Sequence, residues 1–210
     1  RNKQNIHFIC TVDVELSHES VFMKHNKNSK MKYVAPYEYM IPAAQKLETR
    51  PVVVGFGPAG MFAALILALA GQNPIVIERG SAVEKRQEQV FSFWYGEELN
   101  PESNVQFGEG GAGTFSDGKL TTRSKDLRVH KVLEELVRFG APQDILYTAH
   151  PHIGTDLLRD IVKRLREEII ALGGEVRFSS CLQDLIIEQG ELRGIVVNDE
   201  EIPVDQLILS

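Results

Sequence analysis

The chain of 210 residues is 43% hydrophobic and 25% charged, an ordinary globular composition with room for one medium domain and a small one. Its formal net charge of −6 provides no overall basic field to recruit nucleic acid or an anionic membrane surface. Cys10 and Cys181 lie far apart without a C-x-x-C motif, which argues against a disulfide framework and a redox-active cysteine pair. No signal peptide precedes the first strand pattern, so we expect a cytoplasmic protein.

The N-terminal part of the chain predicts a small α+β module that leads into a linker. Apolar and mostly polar residues alternate from Asn5 to Leu16, which is the period of a half-buried antiparallel strand. Ser17 to His25 fits a short helix. The basic stretch Lys24 to Lys32, with tyrosines after it, is a nucleic-acid patch in one interpretation and a solvated loop in the other, which we favour. The linker includes Ala43 to Thr49.

A strand, a glycine turn, a helix, a second strand and an acidic residue follow one another in PVVVGFGPAGMFAALILALAGQNPIVIERG, residues 51–80. Three glycines have G-x-G-x-x-G spacing in this segment, namely Gly55, Gly57 and Gly60. Such a turn lets the backbone approach a pyrophosphate, which then lies at the positive N-terminal end of the helix. Pro58 suits the first helical turn, where its missing N–H costs nothing.

The residues after the second strand, Ile75–Ile77, complete the pattern of a dinucleotide site. Glu78 stands where a carboxylate accepts a hydrogen bond from a ribose 2′-OH. Arg79 and Arg86 are close enough in sequence to reach phosphate or ribose, with plain surface charge as the alternative. The order of elements within one βαβ-sized unit predicts dinucleotide binding, against the alternative that the glycines serve packing alone. Pro51 to Ala70 carries no charge, but the three glycines and a proline in its middle argue against a membrane span.

A second glycine-rich segment follows the next predicted helix. Ser81, with Glu84 three residues later, has the pattern of a capping box and predicts a helix to about Trp94. The segment NPESNVQFGEGGAGTFSDGKLTTR, Asn100 to Arg123, is too rich in glycine to form an ordinary core element. Its backbone N–H groups could form an anion-binding concavity that completes a pyrophosphate site or lies along a flavin ring, with a mobile surface loop as the alternative. Two glycine segments favour a large dinucleotide over a mononucleotide.

Helices and strands alternate in the rest of the chain. Leu127 to Phe139 and Asp156 to Leu172 are amphipathic and are each followed by glycine, which predicts two helices. Glu175 to Leu209 predicts successive strands, of which several form a β-meander. His150 and His152 flank a proline and have no acidic or thiol partner nearby, so we predict no metal site. An insertion this large between the second and third strands of the sheet favours FAD over NAD.

Four segments, VVVGFGPAG, IVIERG, NPESNVQFGEGGAGTFSDGKLTTR and PHIGTDLL, resemble the uncharacterised FAD-dependent dehydrogenases, also called NAD(FAD)-utilising dehydrogenases. These belong to the glutathione-reductase-like flavoprotein superfamily, and the resemblance runs from about Asn5 to Ser210. It implies that Glu78 holds the adenosine ribose and that the backbone at Leu182 contacts adenine. It also implies that two segments approach the pyrophosphate and the ribitol–flavin region, with the residues Gly55, Gly57, Pro58, Ala59, Gly60, Gly110, Gly111, Ala112, Gly113 and Thr114.

We therefore predict an α/β fold in two domains. Residues 49–210 form a Rossmann-like FAD-binding parallel sheet with a β-meander, and residues 1–48 form a small α+β (ferredoxin-like) module with its linker. Members of the family continue past a strand like the last one here into further segments, and the first residue is Arg1 rather than methionine. We expect the chain to be truncated and its FAD site to be incomplete.

The predicted function is that of an FAD-dependent oxidoreductase (dehydrogenase) that transfers electrons or a hydride through bound FAD, with NAD(P)H as a candidate co-substrate and an unknown substrate. No side chain is convincing as a catalytic acid or base, and the best candidates are Lys119, Glu109 and His152. Nucleic-acid and membrane partners are not expected. The alternatives are a non-catalytic dinucleotide-binding module and a flavoprotein that acts on RNA.

Overall fold

A computed structural model describes residues 9–35, 37–43, 45, 47–122, 124–148 and 150–210. The chain divides between Glu38 and Tyr39 into two compact units. The domain limits given by the sequence, 1–48 and 49–210, remain a prediction. Residues 44 and 46 of the predicted linker and Arg123 of the glycine-rich segment lie outside the described residues.

The described part of the first unit contains one helix, α1, Glu19–His25. Its first turn carries Glu19 and its last turn Lys24 and His25, which complements the helix dipole. The predicted strand Asn5 to Leu16 lies partly outside the described residues, and the chain forms no strand over 9–16. A strand needs a partner to receive its backbone hydrogen bonds, and the described residues 9–38 provide none. The ferredoxin-like module therefore stays a prediction.

The second unit alternates strands and helices in its first part and ends in consecutive strands. The strands are β1 Val52–Val54, β2 Ile75–Ile77, β3 Glu175–Arg177, β4 Leu182–Glu188, β5 Glu191–Val197, β6 Glu200–Pro203 and β7 Leu207–Leu209. The α-helices are α2 Pro58–Leu69, α3 Val83–Trp94, α4 Arg128–Arg138 and α5 Thr155–Ala171, and two short 3₁₀ helices are Ala112–Phe115 and Gln143–Leu146.

Four of these strands form a parallel sheet in the order β3–β2–β1–β7. The middle residue of β1, Val53, pairs with Val76 of β2 on one side and with Ile208 of β7 on the other. The chain builds the sheet outward from β1 through β2 to β3 and then returns to the opposite side of β1. This reversal makes the carboxyl end of β1 the topological switch point, where open α/β sheets bind their ligands.

Different layers cover the two faces of this sheet. Successive residues of a strand point to opposite faces, so Val53 and Val76 belong to one core and Val52 and Ile75 to another. Helices α2 and α5 cover the first face with Ala64, Leu65, Ala68, Ile161, Leu165 and Ile169. The antiparallel sheet β4–β5–β6 and the chain after it cover the second face with Ile195, Val197 and Val204. The predicted α/β fold, with a parallel sheet and a β-meander, is confirmed.

Helix α2 approaches β1 so closely that one of its residues has no room for a side chain. A Cβ atom at Gly60 would lie 2.0 Å from the carbonyl oxygen of Gly55. Helix–strand packing therefore requires glycine at this position.

Replacing Gly60 with alanine tests this close approach. Alanine is favoured over glycine in a helix by about 1 kcal/mol, yet overpacking typically costs about 1–3 kcal/mol or more. We expect Gly60→Ala to lower the free energy of unfolding in urea, followed by circular dichroism. Gly154→Ala is the control, because a Cβ there meets nothing within 4 Å among the described residues. A Gly60→Ala protein as stable as the unmodified one would contradict the contact.

Candidate functional site

A cleft of about 430 Å³ opens at the carboxyl ends of β1 and β2. Its volume lies within the range of roughly 300–1,000 Å³ that is common for small-molecule sites. Six residues predicted to bind the cofactor line it, namely Gly55, Gly57, Glu78, Arg79, Gly111 and Leu182. The structure thus brings together residues that are up to 127 positions apart in the sequence, from Gly55 to Leu182.

The floor of the cleft is the glycine turn between β1 and α2. Gly55 has a φ angle of +93°, a conformation that side chains disfavour, and its N–H donates to the carbonyl oxygen of Ile77 at 2.8 Å. Gly57 is different, because its φ of −75° suits any residue. A Cβ at Gly57 would meet nothing in the described residues closer than Gly111 Cα at 4.0 Å. Packing within the chain therefore does not require glycine at position 57, whereas a ligand against the backbone would.

Gly57 is also the N-cap of α2, and Pro58 is its first residue. The N–H groups of a first helical turn have no partner within the helix, and the dipole makes this end positive. Pro58 and Ala59 are exposed at this end, whereas Gly60 is buried against β1. An open helix N-terminus at a switch point, with glycine as its N-cap, fits an anionic diphosphate, so the residues present fit the predicted cofactor.

Glu78 forms two hydrogen bonds to the backbone that the sequence did not reveal. Its carboxylate is nearly buried, and its Oε2 and Oε1 atoms accept hydrogen bonds at 2.8 Å from the N–H groups of Phe56 and Gly80. These bonds join the glycine turn to the end of β2. Each carboxylate oxygen can accept more than one hydrogen bond, so a ribose hydroxyl can still bind here. Contact with ribose stays a prediction.

The two arginines after β2 have separate roles. Arg79 lines the cleft, forms an ion pair with Glu102 at 2.8 Å and lies over the Phe107 ring at 4.8 Å. Arg86 is fully buried and does not line the cleft. Its guanidinium donates to four carbonyl oxygens of the glycine-rich segment, those of Asn104, Val105, Gly108 and Glu109.

Burial lowers the pKa of Arg86 to about 10, with the neighbouring carboxylates Glu78 and Glu109 opposing the decrease, so the side chain is still charged at neutral pH. All of its described hydrogen bonds go to the backbone of the glycine-rich segment. In the structure Arg86 therefore holds this backbone in place, and its predicted contact with a cofactor stays a prediction.

The glycine-rich segment forms one wall of the cleft through Gly108 and Gly111. Gly110 lies behind this wall, where its N–H donates to the carbonyl oxygen of Phe56 at 2.8 Å. The predicted contacts Ala112, Gly113 and Thr114 belong to the short 3₁₀ helix and do not line the cleft, and Thr114 is buried. Their proposed approach to the flavin remains a prediction.

Glu109, one of the candidates for proton transfer, makes contacts that the sequence analysis did not foresee. Its side chain is fully buried, and Oε2 accepts from the Val83 N–H at 2.7 Å and from Arg166 Nη1 at 2.8 Å. The other oxygen, Oε1, has no hydrogen-bond partner among the residues that the structure describes. The N-cap of helix α3 is Ala82, which makes no side-chain cap bond. The carboxylate of Glu109 therefore accepts from the first N–H group of the helix, and the predicted cap Ser81 does not. The signal in the sequence was an isolated acid between glycines.

The charged neighbours of Glu109 reach it from α3 and α5. Arg166 bridges Glu109 to Glu84, which it holds at 2.7 Å. Burial raises the pKa of Glu109 to about 7, which the bonds from Val83 and Arg166 only partly oppose. The hydrogen bond from Arg166 lowers the pKa of Glu84, which is about half exposed, to about 2.

The other two candidates for proton transfer lie outside the cleft. Lys119 forms an exposed ion pair with Asp117 at 2.7 Å, and the His152 ring contacts the carbonyl oxygen of Asp117. Lys119 and His152 also pair as an isolated β-bridge. Neither metal-binding groups of three or more His, Cys, Asp or Glu side chains nor helices able to cross a membrane occur in the described part of the chain.

Comparison with known sequences gives one relative of unknown activity. No protein-family model matches the chain. An uncharacterised protein of Clostridium beijerinckii is 49% identical over 212 residues, a match that covers 100% of this chain and 40% of the relative. The chain therefore spans less than half of the length of the curated relative that it matches.

Comparison with solved structures finds several distant likenesses. THI4 of Thermovibrio ammonificans has 15% identity and a TM-score of 0.48 over 77% of this chain and 55% of its own. L-proline dehydrogenase from P. horikoshii has 15% identity and a TM-score of 0.42 over 79% and 53%. An FAD-dependent pyridine nucleotide-disulphide oxidoreductase from Desulfovibrio vulgaris has 14% identity and a TM-score of 0.37 over 80% and 25%. Likenesses this distant carry no argument about activity.

The role of Arg86 can be tested by removing its charge. In Arg86→Met, the carbonyl oxygens of Gly108 and Glu109 keep the Gly111 N–H and the Thr114 hydroxyl as donors. Those of Asn104 and Val105 lose the donor that the structure describes for them, at about 1–3 kcal/mol for each unpaired buried group before water relieves it. We expect the free energy of unfolding to fall by about 2 kcal/mol or more and amide exchange to accelerate over 104–111. Lys85→Met, at an exposed neighbouring cation, is the control. Unchanged exchange in this segment would refute the assigned role.

The burial of Glu109 predicts a particular dependence of stability on pH. Because its pKa is raised from 4.5 to about 7 by folding, the folded state holds the proton more tightly than the unfolded state between these values. Relative to Glu109→Gln, the unmodified protein should lose up to about 3 kcal/mol of stability as the pH rises through this window, and no more above it. Urea unfolding of both proteins at several pH values measures this difference. A difference that stays constant with pH would count against it.

Proposed function

We propose that this chain is the dinucleotide-binding part of an FAD-dependent oxidoreductase (dehydrogenase) that transfers electrons or a hydride through FAD. The observation that carries the proposal is the open space at Gly57. Here the N-terminus of α2 lies at the switch point of a parallel sheet. The packing of the chain does not require glycine at position 57, and the space beside it is large enough for a ligand.

The cleft offers contacts for each part of the adenosine diphosphate half of FAD. Backbone groups at Gly57 and Gly111 would hold the diphosphate, the Glu78 carboxylate would accept the ribose hydroxyl, and the backbone at Leu182 would contact adenine. Two glycine segments on one cleft favour a dinucleotide as large as FAD. When bound, FAD supplies the electron or hydride transfer, and the protein supplies binding and orientation.

A non-catalytic dinucleotide-binding module is the second candidate. It is favoured by the positions of Glu109, Lys119 and His152, the three candidates for proton transfer, because none of them is among the described residues that line the cleft. Because the chain spans 40% of its relative, groups elsewhere in the protein would complete a reaction in the first case. Membership of the FAD-dependent dehydrogenase family, NAD(P)H as co-substrate and a cytoplasmic location remain parts of the proposal.

A visible spectrum of the complete protein separates the two candidates. We expect the absorption bands of bound flavin and their bleaching on anaerobic addition of NADH or NADPH. Flavin that binds without bleaching with either nucleotide favours the module. A complete protein that is purified without flavin and does not bind added FAD would refute both forms of the proposal.

Gly57→Ala tests the site itself. The new methyl group has room within the chain, so we expect the free energy of unfolding to stay within about 0.5 kcal/mol of the unmodified value. The same methyl group would occupy the path of the diphosphate, so the Kd for FAD should rise at least about tenfold, a loss of about 1.4 kcal/mol. Titration calorimetry measures this, with Gly154→Ala as the control. Equal affinity in Gly57→Ala would place the diphosphate elsewhere.

A further inference from the structure

Glu109 is a buried and half-paired carboxylate in the segment that forms one wall of the cleft. One of its oxygens holds the start of α3 and Arg166, while Oε1 has no partner among the described residues. The adjacent residue Gly108 and the nearby Gly111 line the cleft. The backbone of Glu109 is fixed as well, because its N–H donates to the carbonyl oxygen of Ser81 at 3.1 Å. Glu78, which lines the cleft, is close enough for its charge to raise the pKa of Glu109, so a charge in the cleft can act on this carboxylate as well.

Charged groups face Glu109 from each element packed against it. Arg166 of α5 binds it directly, and Arg86 of α3 donates to its carbonyl oxygen. Glu84 of α3 shares Arg166 with it, and Glu78, which lines the cleft, follows β2. This group therefore contains two arginines and three glutamates. Its net charge is −1 when Glu109 is ionised and zero when Glu109 is protonated.

Lys163 of α5 adds a half-exposed cation that pairs with Glu84 at 3.4 Å, at the solvent side of the group. Solvent screens this outer pair, so it offsets little of the charge inside. A diphosphate anion in the cleft would add further negative charge beside Glu78. Like charges disfavour the ionised form of a buried carboxyl group, so the ligand and the ionised Glu109 oppose each other.

We propose that an anionic diphosphate binds in the cleft together with a proton, which Glu109 takes up from solvent. This inference rests on the proposed function of the cleft. The proton has a place on Oε1, which accepts no hydrogen bond from the residues that the structure describes, and Oε2 can keep its bonds from Val83 and Arg166. Coupling is reciprocal, so the protonated form of Glu109 binds the anion more tightly than the ionised form does.

The direction of the pH dependence follows from this reciprocity. Burial sets the pKa of Glu109 in the free protein at about 7, with the repulsion from Glu84 and Glu78 contributing in the same direction. The bound anion raises this pKa further. Between the free and bound values the Kd should increase with pH, by up to tenfold for each pH unit, and it should level off on either side.

The experiment measures FAD binding to the deflavinated complete protein at about pH 6.5 and about pH 8.5 by titration calorimetry. FAD is the suitable probe because its diphosphate is esterified at both ends, whereas a terminal phosphate titrates near pH 6. Measurements in two buffers of different ionisation enthalpy give the number of protons taken up. We expect uptake of a fraction of a proton near neutral pH and a roughly three- to tenfold weaker affinity at the higher pH.

Two variants assign the proton to Glu109. Glu109→Gln preserves the shape but cannot titrate, so its affinity for FAD should not change with pH and binding should take up no proton. Glu135→Gln is the matched control, because Glu135 is also a buried glutamate, paired with Lys131 and Arg138 of its own helix. It should behave as the unmodified protein does.

Each outcome decides the matter. FAD that binds without proton uptake, or uptake that persists in Glu109→Gln, overturns the inference and leaves the proposed function intact. Absence of FAD binding at every pH overturns both. If circular dichroism shows that Glu109→Gln does not fold, the absence of proton uptake by the unmodified protein still overturns the inference, and its presence supports it.

Discussion

The cleft depends on the peptide groups of one buried residue, Phe56, which lies between the first two glycines of the turn. Its N–H donates to the Glu78 carboxylate, and its carbonyl oxygen accepts from the Gly110 N–H, both at 2.8 Å. Its fully buried ring packs edge-on against Phe178 at 6.3 Å. A single residue thereby joins the turn after β1, the acid after β2 and the second glycine segment to the core.

This arrangement explains why charged side chains are buried around segments that have almost no side chains. A glycine-rich wall cannot be held by apolar burial, so its carbonyl and N–H groups must find partners elsewhere. Arg86 donates to carbonyl oxygens of the glycine-rich segment, and Glu109 accepts from the first N–H of α3. Arg166, which belongs to α5, forms an ion pair with Glu109 and so neutralises part of the buried charge. The charges hold the backbone in place, and the backbone forms the site.

The parts of the fold that the sequence predicted are those fixed by neighbours along the chain. The turn from Gly55 to Gly60 and the position of Glu78 follow from local spacing, so the βαβ unit and its cleft were predictable. Long-range partners were not. Nothing in the order of residues shows that Glu109, 26 positions away, binds Val83 in place of the predicted cap Ser81. The strand predicted from Asn5 to Leu16 failed over 9–16 for a similar reason, since alternation indicates a strand only where a partner strand exists.

The electrostatics of the cleft determine what kind of anion it can hold. Arg79 is the cation among its described lining residues, and its charge is already paired with Glu102. Attraction must therefore come from backbone N–H groups and the dipole of α2, whose effect falls off within one helical turn. The diphosphate that we propose for this cleft would thus depend on N–H groups at Gly57 and Gly111, and the wall at Gly111 would have to keep its position opposite Gly57. Arg86 holds the backbone of this wall at Gly108 and Glu109, and the proton uptake that we propose for Glu109 would make the ionisation of the same segment part of the binding equilibrium.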